Sequence, residues 1–242
     1  MCHHSGKYRN RHRFRSKRDH NANCQRFMLA AHTLKRYAIG RQRMMMKVLL
    51  KMLAPYAAVL IFWCGLHSAW AALLAYHFQI LFWSRRDLRR GLSGWNLKMF
   101  LAVALPCIAA GPLTYLLLPY MTRVPVQTWL AAYGLTGVAL LLMVPYYGLI
   151  HPFLEQAHWS SLRAQPRVGP LAHVLFAAYH VLVLVSLLRT PWILLCVAVL
   201  LTASIGWRWL EQRTRGGLLV PVLSQVLADS GLVVAALIRA AG

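Results

Sequence analysis

Acidic side chains are what this 242-residue chain has least of: Asp19, Asp87, Glu155, Glu211 and Asp229, against 27 Lys and Arg. Charged residues make up 13% of the sequence, where soluble domains carry about 25%. That scarcity excludes a surface kept soluble by mixed charge. No disulfide or zinc framework is expected either, because Cys2, Cys24, Cys64, Cys107 and Cys196 form no CxxC pair. Three of these five cysteines lie in apolar runs, where a thiol behaves as a small hydrophobe. HExxH, GxSxG, P-loop and GxGxxG patterns are all missing. Glu155-Gln156-Ala157-His158 fits the Glu-x-x-His of a di-iron bundle, but the second copy and the extra glutamates of such a site are lacking. There is no visible cleavable signal peptide, and no internal repeat.

What the chain has instead is hydrocarbon. It is 59% hydrophobic with positive mean hydropathy, and its apolar residues gather in runs near the length that crosses a ~30 Å hydrocarbon core. The fold class expected is all-α, a polytopic transmembrane helical bundle of about seven spans. They are placed at about 48–66, 68–83, 99–119, 127–150, 170–188, 191–207 and 217–238. Pro55, Pro106 and Pro112 fall inside these runs, which is tolerable where neighbouring helices satisfy the freed backbone groups. Three regions follow: a basic tail (1–47), N-terminal transmembrane helices (48–126) and a transmembrane core (127–242).

A net charge of +22 would suggest a nucleic-acid partner, but the basic residues have a simpler distribution. Thirteen of them lie in residues 1–47, a composition that reads as a disordered tail able to meet anionic lipid. A translation start at Met44, Met45 or Met46 would remove most of it. Cys2-His3-His4 finds no second cluster with which to hold a metal. Beyond the tail, Arg85, Arg86, Arg89, Arg90, Lys98, Arg163, Arg167, Arg208, Arg213 and Arg215 fall on one side of a seven-span layout. Only Arg123, Arg189 and Arg239 fall on the other. By the positive-inside rule the N-terminus and the loop holding Glu155 are cytoplasmic, and the C-terminus is outside. The expected partners are the lipid bilayer and a peptide or membrane-protein substrate, with no nucleic acid.

The stretch His151–Arg163, HPFLEQAHWSSLR, concentrates polar residues between apolar runs. A charge at the centre of a membrane helix costs roughly 2.5–3.5 kcal/mol on insertion scales, so Glu155 is a functional candidate. His151, Glu155 and His158 are spaced to share a helix face, as are Gln225 with Asp229 and His173 with His180. The bland alternative is a histidine bonded to a backbone carbonyl and a glutamine gluing helices at about 0.6 kcal/mol. No cofactor is expected, a divalent ion on the His151, Glu155 and His158 face being the alternative.

Three short motifs resemble the CAAX-protease and bacteriocin-processing (CPBP) family, the metalloprotease-like intramembrane relatives of CAAX prenyl endopeptidases. Its Glu-Glu-x-x-x-Arg motif resembles Glu155-Gln156-Ala157-His158-Trp159-Ser160. Its Phe-x-x-x-His motif matches Phe176-Ala177-Ala178-Tyr179-His180. Its His-x-x-x-Asn/Asp motif resembles Gln225-Val226-Leu227-Ala228-Asp229. The similarity covers about residues 127–238. It implies a glutamic-type endopeptidase of the bacterial inner membrane, cutting a peptide near the cytoplasmic face. Glu155, His180, Gln225 and Asp229 would be its catalytic set, supported by Gln156, His158 and Phe176. The departures are Gln156 for the second Glu, Ser160 for the Arg and Gln225 for the His, with Arg163 one turn beyond the lost Arg position. They leave open a catalytically inactive relative that acts as a scaffold or binds peptide or lipid. A proton-carrying transporter is the third reading, disfavoured by the absence of an inverted repeat of broken helices.

Overall fold

Apolar runs too long for strands, with prolines set inside them, dictate helices whose freed backbone groups need outside partners. The computed structural model describes residues 36, 40, 42 and 44–241, and among these no strand forms. The tail expected to be disordered, with Cys2-His3-His4, lies otherwise outside the described residues. The chain divides into two units, Met1–Leu50 and Lys51–Gly242. The described residues of the first are helical, and all contacts below belong to the second.

Among the described residues eight helices follow one another: α1 (Met44–Gly65), α2 (Ala69–Ser84), α3 (Leu97–Met121), α4 (Val126–Ala132), α5 (Gly137–Arg163), α6 (Gly169–Leu184), α7 (Thr190–Arg213) and α8 (Leu219–Ala241). Five of them, α1, α3, α5, α7 and α8, are long and apolar enough to cross a membrane. The expected spans 2 and 5 are helices of 16 residues each, about 24 Å at 1.5 Å per residue and short of a ~30 Å core.

The expected span 127–150 needs correction. It breaks after α4 at a turn where Gly134 and Gly137 take positive φ (73° and 48°), a conformation open to glycine at little cost. From Gly137 the chain then stays helical to Arg163. His151–Arg163 is therefore no loop at a membrane edge but the second half of a long helix. Pro145 and Pro152 do not end it, because a π-helical turn at Tyr146–Ile150 lies between them and absorbs the misfit.

Three of the proline-freed carbonyls are satisfied from other helices. Pro55 leaves the Lys51 carbonyl without its helical donor, and His158 Nε2 donates to it at 3.1 Å. Pro119 frees the Tyr115 carbonyl, which accepts from Arg239 Nε and Nη2 at 3.0 and 2.8 Å. Pro152 frees that of Gly148, which accepts from Ser230 Oγ at 3.3 Å. Three side chains that look like isolated polar intrusions thus complete the backbone of a neighbour.

Burial runs opposite to that of a soluble protein. Phe78, Leu105 and Val138 are 76%, 74% and 70% exposed, whereas Glu155, Gln156 and Glu211 are at most 1% exposed. Apolar faces outward and polar groups inward are what a hydrocarbon solvent selects. The protein is an integral membrane protein whose outer helix faces meet lipid.

α3 and α8 pack closely, meeting backbone to backbone at Gly111 and Gly231. A Cβ on Gly111 would lie 2.8 Å from the Gly231 Cα, so a larger residue has to push the helices apart. We expect Gly111→Val to destabilise the fold by about 1–3 kcal/mol, read as a lowered midpoint in thermal unfolding in detergent. An unchanged midpoint would show that the α3–α8 contact is not a close one.

A polar centre buried among four helices

Glu155 sits one turn past the π-helical segment of α5 and is 1% exposed. Its carboxylate is held from three other helices. The hydroxyl of Tyr179 (α6) donates to Oε1, and Tyr76 (α2) donates to the same oxygen at 3.3 Å. Gln225 Nε2 (α8) donates to Oε2 at 2.6 Å, and His151 Nε2 stands 3.5 Å from Oε2. Tyr179 and Gln225 make the firm bonds, while the Tyr76 and His151 contacts are long for hydrogen bonds.

An amide relay ties this carboxylate to a cation. Gln225 Nε2 also donates to Asp229 Oδ2 at 3.1 Å, while its Oε1 accepts from Gln156 Nε2 at 2.7 Å. Gln156 Oε1 in turn accepts from Arg163 Nη2 at 2.6 Å. Two glutamines therefore link a guanidinium to two carboxylates, with every amide dipole aligned. Arg163, counted from sequence among the loop charges, is 4% exposed and reaches back along α5 to Gln156. Its charge is offset at longer range by Glu211 and Glu155. Both amide hydrogens of Gln225 are already given to carboxylates, so it holds an oxyanion only by releasing one of them.

Ser160, where the motif has Arg, belongs to a second polar cluster. Its hydroxyl donates to Glu211 Oε1 at 2.7 Å. Arg90 bonds the same oxygen, and Arg208 stands 3.0 Å from Oε2. Ser160 is fully buried, and the cation of this region is supplied from α7 and the segment after α2.

His180, the motif histidine of α6, gives Nδ1 to the Phe176 carbonyl at 2.8 Å. A carbonyl only accepts, so the proton sits on Nδ1 and the neutral ring keeps a lone pair on Nε2. That ring lies close enough to Glu155 for direct electrostatic interaction. It packs on Tyr179 (ring centroids 4.1 Å) and on Phe176 (5.0 Å). Phe176 also meets Trp159 and Trp207 edge to face, each at 5.7 Å. Trp159 stacks parallel to Tyr179 (6.0 Å, 4°) and donates Nε1 to the Tyr76 hydroxyl at 2.9 Å. This aromatic layer fixes both tyrosines that hold Glu155.

The sequence-derived candidates thus separate. Glu155, His180, Gln225, Asp229, Gln156 and Phe176 gather at one place. His158 does not: three residues from Glu155 it has rotated away from the carboxylate, bonding the Lys51 carbonyl and Ser84 Oγ (3.3 Å) instead. The His151, Glu155 and His158 face therefore does not converge, and among the described residues no three His, Cys, Asp or Glu side chains are grouped to hold a metal ion. His173 bonds Ser204 Oγ at 2.8 Å, apart from the centre. Three contributors were missed: Tyr76, His77 and Tyr179. Tyr76-His77 in an otherwise apolar run and the tyrosine beside His180 were the only signals available.

The fold and site define a helical integral membrane protein with a hydrogen-bonded carboxylate centre inside its bundle. No protein-family model, curated protein or solved structure matches the chain.

Proposed function

We propose that the protein is an intramembrane glutamic-type endopeptidase of the CPBP kind, with its site at Glu155. The observation carrying this reading is one buried carboxylate, Glu155, bonded by Gln225, which also bonds Asp229, with the His180 ring of a third helix in electrostatic range. The His180 lone pair on Nε2 and the loosely held edge of Glu155 are suited to orient one water. Glu155 takes a proton from that water as its oxygen adds to the peptide carbonyl carbon. The oxyanion is met by a Gln225 N–H, and the C–N bond breaks as Glu155 returns the proton to the amine. A positioned base contributes roughly 10²–10⁴-fold and one oxyanion donor roughly 10²–10³-fold. The Gln156–Arg163 bond gives the altered first motif a cation partner one turn later than the family pattern. The N-terminus and the cleavage site are assigned to the cytoplasmic face of a bacterial inner membrane, from the charge asymmetry and the resemblance.

One observation favours the inactive relative, a scaffold or a peptide- or lipid-binding protein: both carboxylate oxygens and both Gln225 amide hydrogens are occupied. Cleavage of membrane-anchored peptides by the purified protein in detergent separates the two. The peptidase reading expects cleavage that Glu155→Gln and His180→Ala each abolish. No cleavage by the parent chain, with cleavage by Gln156→Glu/Gln225→His, would establish the inactive relative instead. Ser160 is left alone in that variant, because an arginine has no room beside Glu211.

A further inference from the structure

A second line of side chains reaches Glu155 from α2. Tyr146, in the π-helical turn of α5, lies 2.9 Å from His77 Nδ1 through its hydroxyl. His77 Nε2 lies 3.0 Å from His151 Nδ1, and His151 Nε2 is 3.5 Å from Glu155 Oε2. Both rings are 3% exposed, whereas Tyr146 is half-buried. Of the other histidines near the centre, His158 runs between Ser84 Oγ and the Lys51 carbonyl, turned away from Glu155, and His180 ends on the Phe176 carbonyl. A carbonyl accepts a hydrogen bond but passes no proton on. The His77–His151 line is different, for it ends on a phenol at one side and a carboxylate at the other.

The order of donors follows from the ends. Oε2 of Glu155 only accepts, so a line running to it across the 3.5 Å gap needs the His151 proton on Nε2 and a lone pair at Nδ1. His77 then donates from Nε2 and accepts at Nδ1 from the Tyr146 hydroxyl. All four ring nitrogens are thereby used in series. We propose that Tyr146, His77 and His151 form a proton relay that loads and unloads Glu155. Loading moves the Nε2 proton of His151 to Glu155, the Nε2 proton of His77 to His151 Nδ1, and the Tyr146 proton to His77 Nδ1. Tyr146 takes a replacement from water at its half-buried end. One proton enters, one arrives, and the two rings reset by exchanging tautomers.

Other groups also face this line. Tyr76 and Tyr147 lie against His151 (5.8 and 4.5 Å between ring centroids), and Tyr76 against His77 (5.8 Å). Glu155 further meets Tyr179, Gln225 and, through Gln225, Asp229, with His180, Arg163 and Tyr147 within electrostatic reach. All of these set the charge balance at Glu155, but none continues the line towards Tyr146. The relay uses the carboxylate of the proposed peptidase but does not depend on hydrolysis.

The test therefore reads protonation with no substrate present. The full chain in detergent is stepped to acid, and the carboxylic C=O band is followed by time-resolved infrared difference spectroscopy. Loss of the band in Glu155→Gln assigns it, apart from any band of Asp229. His77→Phe should slow its appearance by roughly tenfold or more, and Tyr146→Phe, which removes one oxygen, by several-fold. His77→Gln should be as slow as His77→Phe, since an amide keeps hydrogen bonds but relays no proton. Full recovery of the rate with glutamine would make His77 merely structural and overturn the relay. Equal rates in the parent chain and Tyr146→Phe, or a Glu155 that takes up no proton, would overturn it as well.

Discussion

Replacing Glu155 with alanine will destabilise the folded protein by about 3–5 kcal/mol, the largest effect expected from any single polar substitution in the bundle. The reason is what stays behind. The Tyr179 and Tyr76 hydroxyls and one Gln225 amide hydrogen lose their acceptor in an almost fully buried centre. Each orphaned buried donor costs about 1–3 kcal/mol, less than additively where donors find one another. Glu155→Gln keeps one carbonyl oxygen for the tyrosines and turns an NH2 towards Gln225, so about 1–2 kcal/mol is expected. Unfolding in mild detergent against rising SDS measures both. An alanine variant within about 1 kcal/mol of the parent would mean that the centre is flooded and its donors bond water.

Trp159→Ala is the second. Its ring is fully buried, stacks on Tyr179 and holds the Tyr76 hydroxyl at 2.9 Å. Trp→Ala in a soluble core costs about 3–5 kcal/mol. Part of that is transfer out of water, which lipid already provides to the unfolded helices, while lost packing and the cavity remain. We expect about 2–4 kcal/mol, together with loosened Tyr76 and Tyr179 and hence, on the proposed peptidase reading, reduced cleavage. Trp159→Phe refills most of the volume but not the N–H, so it should recover stability more fully than activity. Equal recovery of both would show that the indole N–H has no part in placing Tyr76.

Much of the candidate site could be read along single helices. Gln225 and Asp229 share a face because they are four residues apart, and the short Gln225–Asp229 contact follows from that spacing. Phe176 and His180 are likewise one turn apart, and the histidine bonds the Phe176 carbonyl. Where the reading failed, the deciding partner lay on another element. His158 was grouped with His151 and Glu155, but the carbonyl that Pro55 leaves bare draws it elsewhere. Arg163 has the spacing of a loop charge and the position of a buried one. Tyr76, His77 and Tyr179 resemble ordinary core residues until three helices bring them to one carboxylate.

The sequence by itself therefore determined the helical membrane class, the scarcity of intramembrane carboxylates and the polar spacing within each helix. These depend on hydrocarbon length and helical period, which are local properties of a chain. Tertiary structure alone decided which helices face Glu155, that α5 runs unbroken through it, and that Tyr146, His77 and His151 line up behind it. Such matters depend on close packing, as at Gly111 and Gly231, and on where each proline-freed carbonyl finds its donor. Neither is written in the period of any one helix.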